Sequence, residues 1–395
     1  MKKTSSEQIR SWQGPEILSF GFRPFFLFGA IWNVFAMLTW ILVLNGMFSL
    51  PSRFDPVSWH AHEFLFGYVG AILGGFLLTA TPNWTGRLPI VGWRLLALFS
   101  IWCVGRISVL VSAVLPISLG IALDVAFPII LLGFISQEIT AGKNWNNTIV
   151  LIILLIFAMA NVLFHFEAIT EGYAFKGSGL RLGLASVVFL NAVIGGRIIP
   201  SFTRNWLAKN YQFARPVPSM QKFDKITLFI SFIALLAWVS HPVNKITAFL
   251  LLVFGILDVA RLVRWRGYHA LKEPLIWFLH LAYAFIPLGA ITLAADIFFA
   301  GIYQVIAQHI WMAGVIGAMT LAIMTRATLG HTGQELVANW GTIIIYLSLL
   351  ASVFFRVLSV NFPQFLIPSS FFWITAYGGF AIIYGPLLLR PKLTA

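Results

Sequence analysis

Long apolar runs dominate this sequence and set its class of fold. A bilayer core of about 30 Å is spanned by about 20 apolar residues in a helix, and the chain of 395 residues contains such runs along its whole length. With 59% hydrophobic and only 10% charged residues, it has too little polar surface to cover a soluble globule of this length. We therefore predict an all-α, polytopic integral membrane protein with about twelve transmembrane helices. The predicted helices lie near residues 24–45, 59–81, 93–114, 117–136, 148–166, 180–199, 226–241, 245–264, 274–298, 302–325, 340–360 and 369–389.

The stretches between these runs are short. We predict a single transmembrane domain over residues 1–395, with a short polar tail at 1–20 and a basic loop at 200–225. The tail lacks an apolar core that ends in a small-residue cleavage site, so we expect no signal peptide. A single cysteine, Cys103, excludes disulfides within the chain, thiolate metal clusters and covalent haem attachment through paired cysteines.

The formal net charge of +13 reflects membrane topology rather than a nucleic-acid site. Most of the 26 Lys and Arg residues lie near the N-terminus, in the loops after predicted helices 2, 4, 6, 8 and 10, and at the C-terminus. The positive-inside rule therefore predicts that both termini are cytoplasmic. The partner expected from this pattern is membrane lipid, and no nucleic acid.

Three short segments resemble one another along the chain. Residues 70–75, 191–196 and 313–318 are rich in glycine and alanine, and successive copies are spaced by 121 and 122 residues. Each leads into a polar helix end on the predicted cytoplasmic side. The pattern suggests three pseudo-repeats of four helices. Alternatively, these segments are the small-residue seams found wherever membrane helices pack closely.

Histidines carry the main chemical signal, because imidazole within a membrane tends to mark ion paths, proton relays or metal sites. The motif Trp-His-Ala-His-Glu at 59–63 places His60 and His62 at the outer end of helix 2. Two residues apart on a helix, these rings project about 200° from each other, so we expect them to serve different partners or sites. Glu63, three residues after His60, can orient its imidazole.

A partner for this pair is predicted on helix 10. His309 lies about 10 Å from the outer end of that helix, at a depth similar to that of the helix 2 motif. We therefore predict His309 as the opposite axial ligand of a non-covalent haem held by one of the helix 2 histidines. A wet outer vestibule is the alternative. His280 and His331 form a second candidate group in the inner half, and His165 at the outer end of helix 5 is a further candidate. Imidazole suits iron and copper equally.

Charged residues within the predicted helices and at their ends form two sets. Arg106 and Asp124 lie at similar depth on one helical hairpin, so we predict an ion pair, whereas Asp258 and Arg356 have no evident partner. The second set lies at cytoplasmic helix ends and serves either lipid anchoring or the binding of a carboxylate such as a haem propionate. Its members are Arg23, Arg87, Arg197, Arg204 and Arg326.

Seven motifs follow one another in a characteristic order. They are Gly-Phe-Arg-Pro-Phe-Phe at 21–26, Trp-His-Ala-His-Glu at 59–63, Thr-Pro-Asn-Trp-Thr-Gly-Arg at 81–87, Gly-Arg-x-Ile-Pro-x-Phe-Thr-Arg-Asn at 196–205, His280, His309 and Met-Thr-Arg-Ala-x-Leu-Gly-His-Thr-Gly at 324–333. In this order they resemble the NnrS family of nitric-oxide-response membrane proteins. The resemblance covers nearly the whole chain, although helices 3–5 and 11–12 match only as hydrophobic segments.

The resemblance implies a bacterial inner-membrane protein with twelve helices that contains non-covalent, b-type haem and copper. It implies metal binding by the matching histidines, which are His60, His62, His280, His309 and His331. It also implies a role in nitric oxide metabolism and protection from nitrosative stress, expressed together with denitrification. The expected partners are nitric oxide or a related small nitrogen species and an electron donor. No particular reaction is implied.

Two other functions compete with this one. In a proton-coupled secondary transporter, His60, Glu63 and His309 would relay protons. A respiratory oxidase core is disfavoured, because the adjacent paired histidines of its copper centre are absent from the sequence. Haem absorbance would indicate the nitric oxide function, whereas proton-driven substrate flux without haem would indicate the transporter.

Overall fold

Helices make up the regular structure of the protein. The computed structural model describes residues 12–210, 217–299, 301 and 304–392, and no strand occurs within these ranges. Twelve of the described helices are long and apolar enough to cross a membrane, which confirms the predicted fold class. They are α1 (Phe22–Leu44), α2 (Pro56–Thr85), α3 (Trp93–Leu110), α4 (Ile117–Ala141), α5 (Trp145–Thr170), α6 (Ser178–Asn210), α7 (Lys222–Ser240), α8 (Lys245–His269), α9 (Pro274–Phe298), α10 (Gln304–Thr332), α11 (Trp340–Leu358) and α12 (Pro363–Leu389).

Several helices are longer than the apolar runs that predicted them. The helix α6 continues through Pro200 to Asn210, so much of the predicted basic loop at 200–225 is helical. Similarly, α10 continues to Thr332 and includes His331 in its last turn. Hydropathy marks where a helix leaves the bilayer, whereas backbone hydrogen bonding continues beyond that point. Residues 1–11 of the predicted tail and residues 211–216 of the loop lie outside the described part of the chain.

The start of α2 is fixed by its own sequence. Asp55 is the N-cap, and its Oδ1 accepts hydrogen bonds from the backbone N–H groups of Val57 and Ser58 at 3.0 and 3.1 Å. Pro56 occupies the first helical position, where no N–H donor is needed. The Ser58 hydroxyl then accepts a hydrogen bond from the backbone N–H of Ala174 at 2.8 Å, which ties the loop before α6 to this helix end. The motif with the paired histidines therefore begins from a constrained position.

Two of the membrane-length helices contain a π-helical segment. In α2 it covers Glu63–Tyr68 and directly follows His62, and in α10 it covers Ile310–Gly317 and directly follows His309. A π-helical turn contains an extra residue, so the side chains after it are rotated relative to a continuous α-helix. Such segments are frequent at functional sites. Both lie next to histidines singled out in the sequence.

The chain divides into two compact units. Unit 1 comprises Met1–Gly183, Thr328–Gln334 and Phe380–Ala395, and unit 2 comprises Leu184–Ala327 and Glu335–Gly379. Three helices, α6, α10 and α12, contribute residues to both units. This division does not follow three groups of four helices, and the threefold repeat stays a prediction.

Small residues in the repeated segments allow close helix packing. A Cβ added to Gly74 would lie 2.9 Å from the Phe127 ring, and one added to Gly314 would lie 2.7 Å from the Phe285 ring. Because real Cβ atoms essentially never lie so close, a larger residue at either position would displace the neighbouring ring. These segments therefore pack closely against neighbouring helices, as the alternative interpretation of the sequence, small-residue seams, predicts.

Candidate metal centre

A buried cluster of polar side chains lies in unit 1, on α2, α3, α4 and α5. Each of its members is less than 9% exposed, although all lie in membrane-length helices. Buried polar groups of this kind need hydrogen bonds and charge compensation from one another. We call this set the buried polar cluster, and its members are His62, Glu63, Arg106, Asp124, Asn161 and His165.

Asp124 is the hub of the cluster. Its Oδ2 atom lies 3.1 Å from Nε2 of His62 and 2.9 Å from Nε2 of His165. The same oxygen accepts a hydrogen bond from Nδ2 of Asn161 at 2.9 Å. Its other oxygen, Oδ1, forms an ion pair with Arg106. The predicted ion pair between Arg106 and Asp124 is therefore confirmed, and the carboxylate also joins two imidazoles.

Glu63 holds the other side of the cluster. Its Oε1 atom accepts a hydrogen bond from Arg106 at 2.7 Å and lies 3.0 Å from Nδ1 of His62. Its Oε2 atom accepts a hydrogen bond from the indole N–H of Trp32 at 2.8 Å. Helical spacing predicts that Glu63 orients His60. The structure shows it bound to the adjacent His62, since α2 changes to π-helical geometry at this residue.

His62 faces oxygen acceptors at both ring nitrogens. Nδ1 faces the Glu63 carboxylate, and Nε2 faces both Asp124 Oδ2 and Asn161 Oδ1, the latter at 2.9 Å. The orientation of the Asn161 amide is fixed because its nitrogen donates to Asp124. A neutral imidazole has only one N–H donor and cannot satisfy both sides. The site at Nε2 therefore calls for a positive charge between the ring and the oxygens, either a proton or a metal ion.

The charges of the cluster lead to the same conclusion. Glu63 and Asp124 carry two negative charges, whereas Arg106 supplies one positive charge. With neutral histidines the cluster has a net charge of −1 in a buried position, which is costly without a further cation. A proton on an imidazole or a bound metal cation would balance it.

The spacing of the donor atoms fits a metal ion. His62, Asp124 and His165 each offer one ligand atom, and the three atoms lie within 4.8 Å of one another. Adjacent ligands at about 2.1 Å from a first-row metal with octahedral geometry are separated by about 3 Å, close to the observed separations of 2.9 and 3.1 Å from Asp124 Oδ2. Two imidazoles with one carboxylate form a ligand set used for non-haem iron. The carboxylate of Glu63 against Nδ1 is the usual second partner of a metal-bound histidine.

Aromatic rings enclose His62 on its remaining sides. The rings of Phe54, Phe66, Phe164 and His165 have centroids 5.0 to 5.4 Å from that of His62. The ring has no exposed surface, and both nitrogens already face protein oxygens. This arrangement fits a small metal ion and does not fit the axial position of a haem, which needs a planar apolar pocket on one side of the ring.

His60 has different surroundings. Its ring stacks on Trp40 with centroids 4.5 Å apart and packs against Phe64 at 4.6 Å. It is half-buried, whereas His62 is fully buried. The two rings of the motif therefore meet different neighbours, as their helical projection predicted.

His309 belongs to unit 2, so its predicted pairing with His60 or His62 across a haem stays a prediction. Its Nδ1 atom lies 2.8 Å from the carbonyl oxygen of Val305 and donates to it. Nε2 is then the unprotonated nitrogen of the neutral ring. A backbone acceptor on Nδ1 is typical of histidines that bind metal through Nε2. The chemistry of His309 therefore fits a haem or metal ligand.

His280 is held by its neighbours. The Thr203 hydroxyl donates to the carbonyl of Ile199 at 2.8 Å and therefore accepts from Nε2 of His280 at 2.8 Å. The other face of the ring lies on Gly267, where an added Cβ would be 2.4 Å from Nδ1. These contacts suit a packed, hydrogen-bonded histidine. Its predicted role as a ligand stays a prediction.

His331 lies in unit 1, whereas His280 belongs to unit 2. Its ring packs against Phe20 and Phe22, with centroids 5.4 and 5.3 Å away. These two aromatic residues precede and open α1. The predicted grouping of His331 with His280 stays a prediction.

Two of the predicted cofactor arginines lie in unit 1 and have protein partners. Arg23 is only 3% exposed, and its Nη1 donates to the backbone carbonyls of Leu388 and Arg390 at 2.9 and 2.8 Å. This closes the C-terminal end of α12, where helix carbonyls have no partner within the helix. Arg87 forms an ion pair with Glu138 of α4.

The other arginines of this set lie in unit 2. Arg204 donates to the carbonyl of Val217 at 3.2 Å. The guanidinium of Arg326 lies over the Phe202 ring, 4.2 Å from its centroid, in a cation–π contact. Binding of a haem propionate by Arg23, Arg87, Arg204 or Arg326 stays a prediction.

A second buried ionic cluster lies in unit 2. Arg261 has no exposed surface, and it contacts Asp224 at 3.2 Å and Asp258 at 3.7 Å. It also donates to the Tyr283 hydroxyl at 2.8 Å, and that hydroxyl donates to Asp258 at 2.9 Å. The sequence expectation that Asp258 has no evident partner is therefore wrong. The three-residue spacing of Asp258 and Arg261 on α8 was the signal for this pair.

The sequence joins only two members of the buried polar cluster, Arg106 and Asp124. Asn161 carried no signal, because an isolated amide in an apolar run has many roles. His165 was a candidate without a partner, although both it and Asp124 lie near the predicted outer ends of their helices. Matching those depths was the signal that could have placed them together.

The fold and the buried polar cluster define a multi-pass membrane protein with a candidate metal centre among its helices. The chain belongs to the NnrS family, whose family model, described as NnrS protein, matches residues 16–392. Family membership suggests a nitric-oxide-response membrane protein. No curated protein matches the chain.

Proposed function

We propose that this protein binds a metal ion at His62, Asp124 and His165 and acts in nitric oxide metabolism and protection from nitrosative stress. The observation that carries this proposal is the pair of imidazole nitrogens facing one buried carboxylate oxygen at 3.1 and 2.9 Å. Family membership suggests a nitric-oxide response, and we assign this site to it. Iron or copper held by these nitrogen and oxygen ligands would supply a centre that binds nitric oxide.

The protein groups around the ion have distinct tasks. Glu63 would hold the Nδ1 proton of His62, so that Nε2 points its lone pair at the metal. Arg106 would hold the carboxylates of Asp124 and Glu63 in place through its two ion pairs. The aromatic rings of Phe54, Phe66 and Phe164 would shield the His62 side of the site from water. The chemistry of the donors fits iron and copper, which both accept imidazole ligands.

The proposal extends to haem and copper as the cofactors. His309 is the best-supported haem ligand, because its contact with Val305 leaves Nε2 unprotonated. His60, His280 and His331 are the further candidates implied by the family resemblance. A bound haem would supply iron for nitric oxide binding, and we propose a non-covalent b-type haem because the single Cys103 excludes attachment through paired cysteines.

The membrane location completes the proposal. Twelve candidate spans support a multi-pass protein, and we propose the bacterial inner membrane with both termini in the cytoplasm from the distribution of Lys and Arg. A small apolar gas dissolves in the bilayer, and a membrane electron donor could reach the protein there.

Metal analysis combined with optical spectroscopy under nitric oxide tests these proposals. The parent protein should contain metal, and His62→Ala and His165→Ala should each lose it from the buried centre. His309→Ala should weaken the Soret band of the haem without removing that metal. His241→Ala is the matched control, because His241 is exposed in a turn. A colourless, metal-free protein with proton-driven substrate flux would overturn the proposal in favour of the transporter alternative.

A further inference from the structure

A cavity of about 250 Å³ lies beside the buried polar cluster in unit 1. Its wall includes Phe54 from the loop before α2, Gly120 and Ile121 from α4, and His165 and Ala168 from α5. His165 is the member of the cluster that lines this space. The cavity therefore reaches a residue that faces Asp124 at 2.9 Å.

The wall changes from exposed to buried residues. Ile117 and Ile169 are 44% and 49% exposed and mark the mouth of the cavity. Gly120 is buried, and His165 is only 8% exposed, so these residues mark its inner part. The space thus runs from the surface of unit 1 to the ring of His165.

The chemistry of the wall favours a small uncharged molecule. Most of the wall is aliphatic or aromatic, and its polar side chains Arg53, Ser112 and His165 already have hydrogen-bond partners in the protein. Arg53 donates to the carbonyl of Leu115 at 2.7 Å, and the Ser112 hydroxyl donates to the carbonyl of Val109 at 3.0 Å. The volume lies below the range of about 300–1,000 Å³ found for pockets of drug-sized ligands. A macrocycle such as haem is therefore too large for it.

We propose that this cavity is the access route by which a small uncharged molecule reaches His165 and the metal centre. The proposal rests on the proposed function in one respect, since it takes His62, Asp124 and His165 to hold a metal ion. It adds the path and the class of ligand, which is a molecule of a few atoms without charge. It also makes Gly120 the residue whose small size keeps the path open.

Gly120 gives a sharp test of the route. No atom lies within 4 Å of the position that its Cβ would occupy, so a larger side chain there extends into open space. Gly120 lies in the first turn of α4, where replacing glycine by leucine also favours the helix. Gly120→Leu should therefore fold and fill the cavity. Gly133→Leu is the matched control, because Gly133 lies on the same helix, also has no atom within 4 Å, and is exposed.

The first experiment uses iron(II)-loaded protein mixed with nitric oxide in a stopped-flow spectrometer. Gly120→Leu should slow formation of the nitrosyl complex by about tenfold or more, equivalent to about 1.4 kcal/mol in the barrier. Its final absorbance and iron content should match those of the parent, because the variant blocks the path and leaves the ligands intact. Gly133→Leu should react at the parental rate. Equal rates in the two glycine variants, at equal iron content, would overturn the route.

A second experiment needs no metal and separates the two proposals. Ala168→Cys, in a Cys103→Ala background, places a thiol one helical turn from His165 in the wall of the cavity. It should react faster with the small, neutral methyl methanethiosulfonate than with its charged sulfonatoethyl analogue, and Gly120→Leu should slow labelling while Gly133→Leu should not. Absence of iron uptake combined with this labelling pattern would remove the metal function but support the route. Labelling that is insensitive to Gly120→Leu would overturn the route, whatever the metal content.

Discussion

Replacing Asp124 by asparagine tests both the stability and the charge balance of the buried polar cluster. The carboxylate has two oxygens, one paired with Arg106 and the other facing His62, His165 and Asn161. An asparagine of the same shape has only one oxygen. Whichever way the amide turns, its NH₂ group faces either the guanidinium or donors on the other side.

The magnitude follows from these contacts. A hydrogen bond to a charged group contributes about 1.5–3 kcal/mol, and breaking a buried ion pair costs about 3–5 kcal/mol. Because Arg106 retains Glu63 as a partner at 2.7 Å, we expect a destabilisation near the lower limit, about 3 kcal/mol. The same change removes one negative charge, so the cluster becomes neutral without a further cation. Asp124→Asn should therefore also lose the metal.

The assay is thermal unfolding and folded yield of the purified protein in detergent, together with metal content. Asp55→Asn is the matched control, because Asp55 caps α2 through backbone N–H groups and asparagine caps a helix about equally well. The reasoning is refuted if Asp124→Asn unfolds at the same temperature as Asp55→Asn. Retention of metal in a destabilised Asp124→Asn protein would refute the ligand assignment alone.

Two further predictions concern the two buried ionic clusters. Arg261→Met should leave Asp258 without its buried cation and destabilise unit 2 by about 3–5 kcal/mol. Thermal unfolding measures this loss of stability. A variant as stable as the parent would show that the ion pair contributes nothing. Gly67→Ala should reduce metal content, because its Cβ would lie 2.5 Å from Nη1 of Arg106. Gly133→Ala is the control, since its Cβ would have no atom within 4 Å. Equal metal content in the two variants would contradict the close packing at Gly67.

Much of the fold was predictable because membrane length is a property of composition. The apolar runs predicted all twelve spans among the described residues, including the least obvious helix, α4. Their ends were less predictable. The run of α6 stops near residue 199, whereas the helix continues to Asn210, because a helix that leaves the bilayer keeps its backbone hydrogen bonds in water.

The candidate site was less predictable than the fold. Depth along a helix placed Arg106 beside Asp124, since both belong to one hairpin. It did not show that His62 and His165 face the same carboxylate, because this depends on how four helices are rotated about their axes. The π-helical turn after His62 alters that rotation, and no pattern in the residues of Glu63–Tyr68 predicted it.

The contact of Arg23 with the end of α12 has a consequence for how the protein is made. Its acceptors, the carbonyls of Leu388 and Arg390, lie more than 360 residues later in the chain. During synthesis α1 precedes these acceptors by the whole length of the other helices, and the guanidinium meets them only after α12 has been made. Unit 1 therefore cannot complete its native contacts before α12 is inserted. A chain that stops before Leu388 should accordingly leave the buried Arg23 guanidinium without these acceptors.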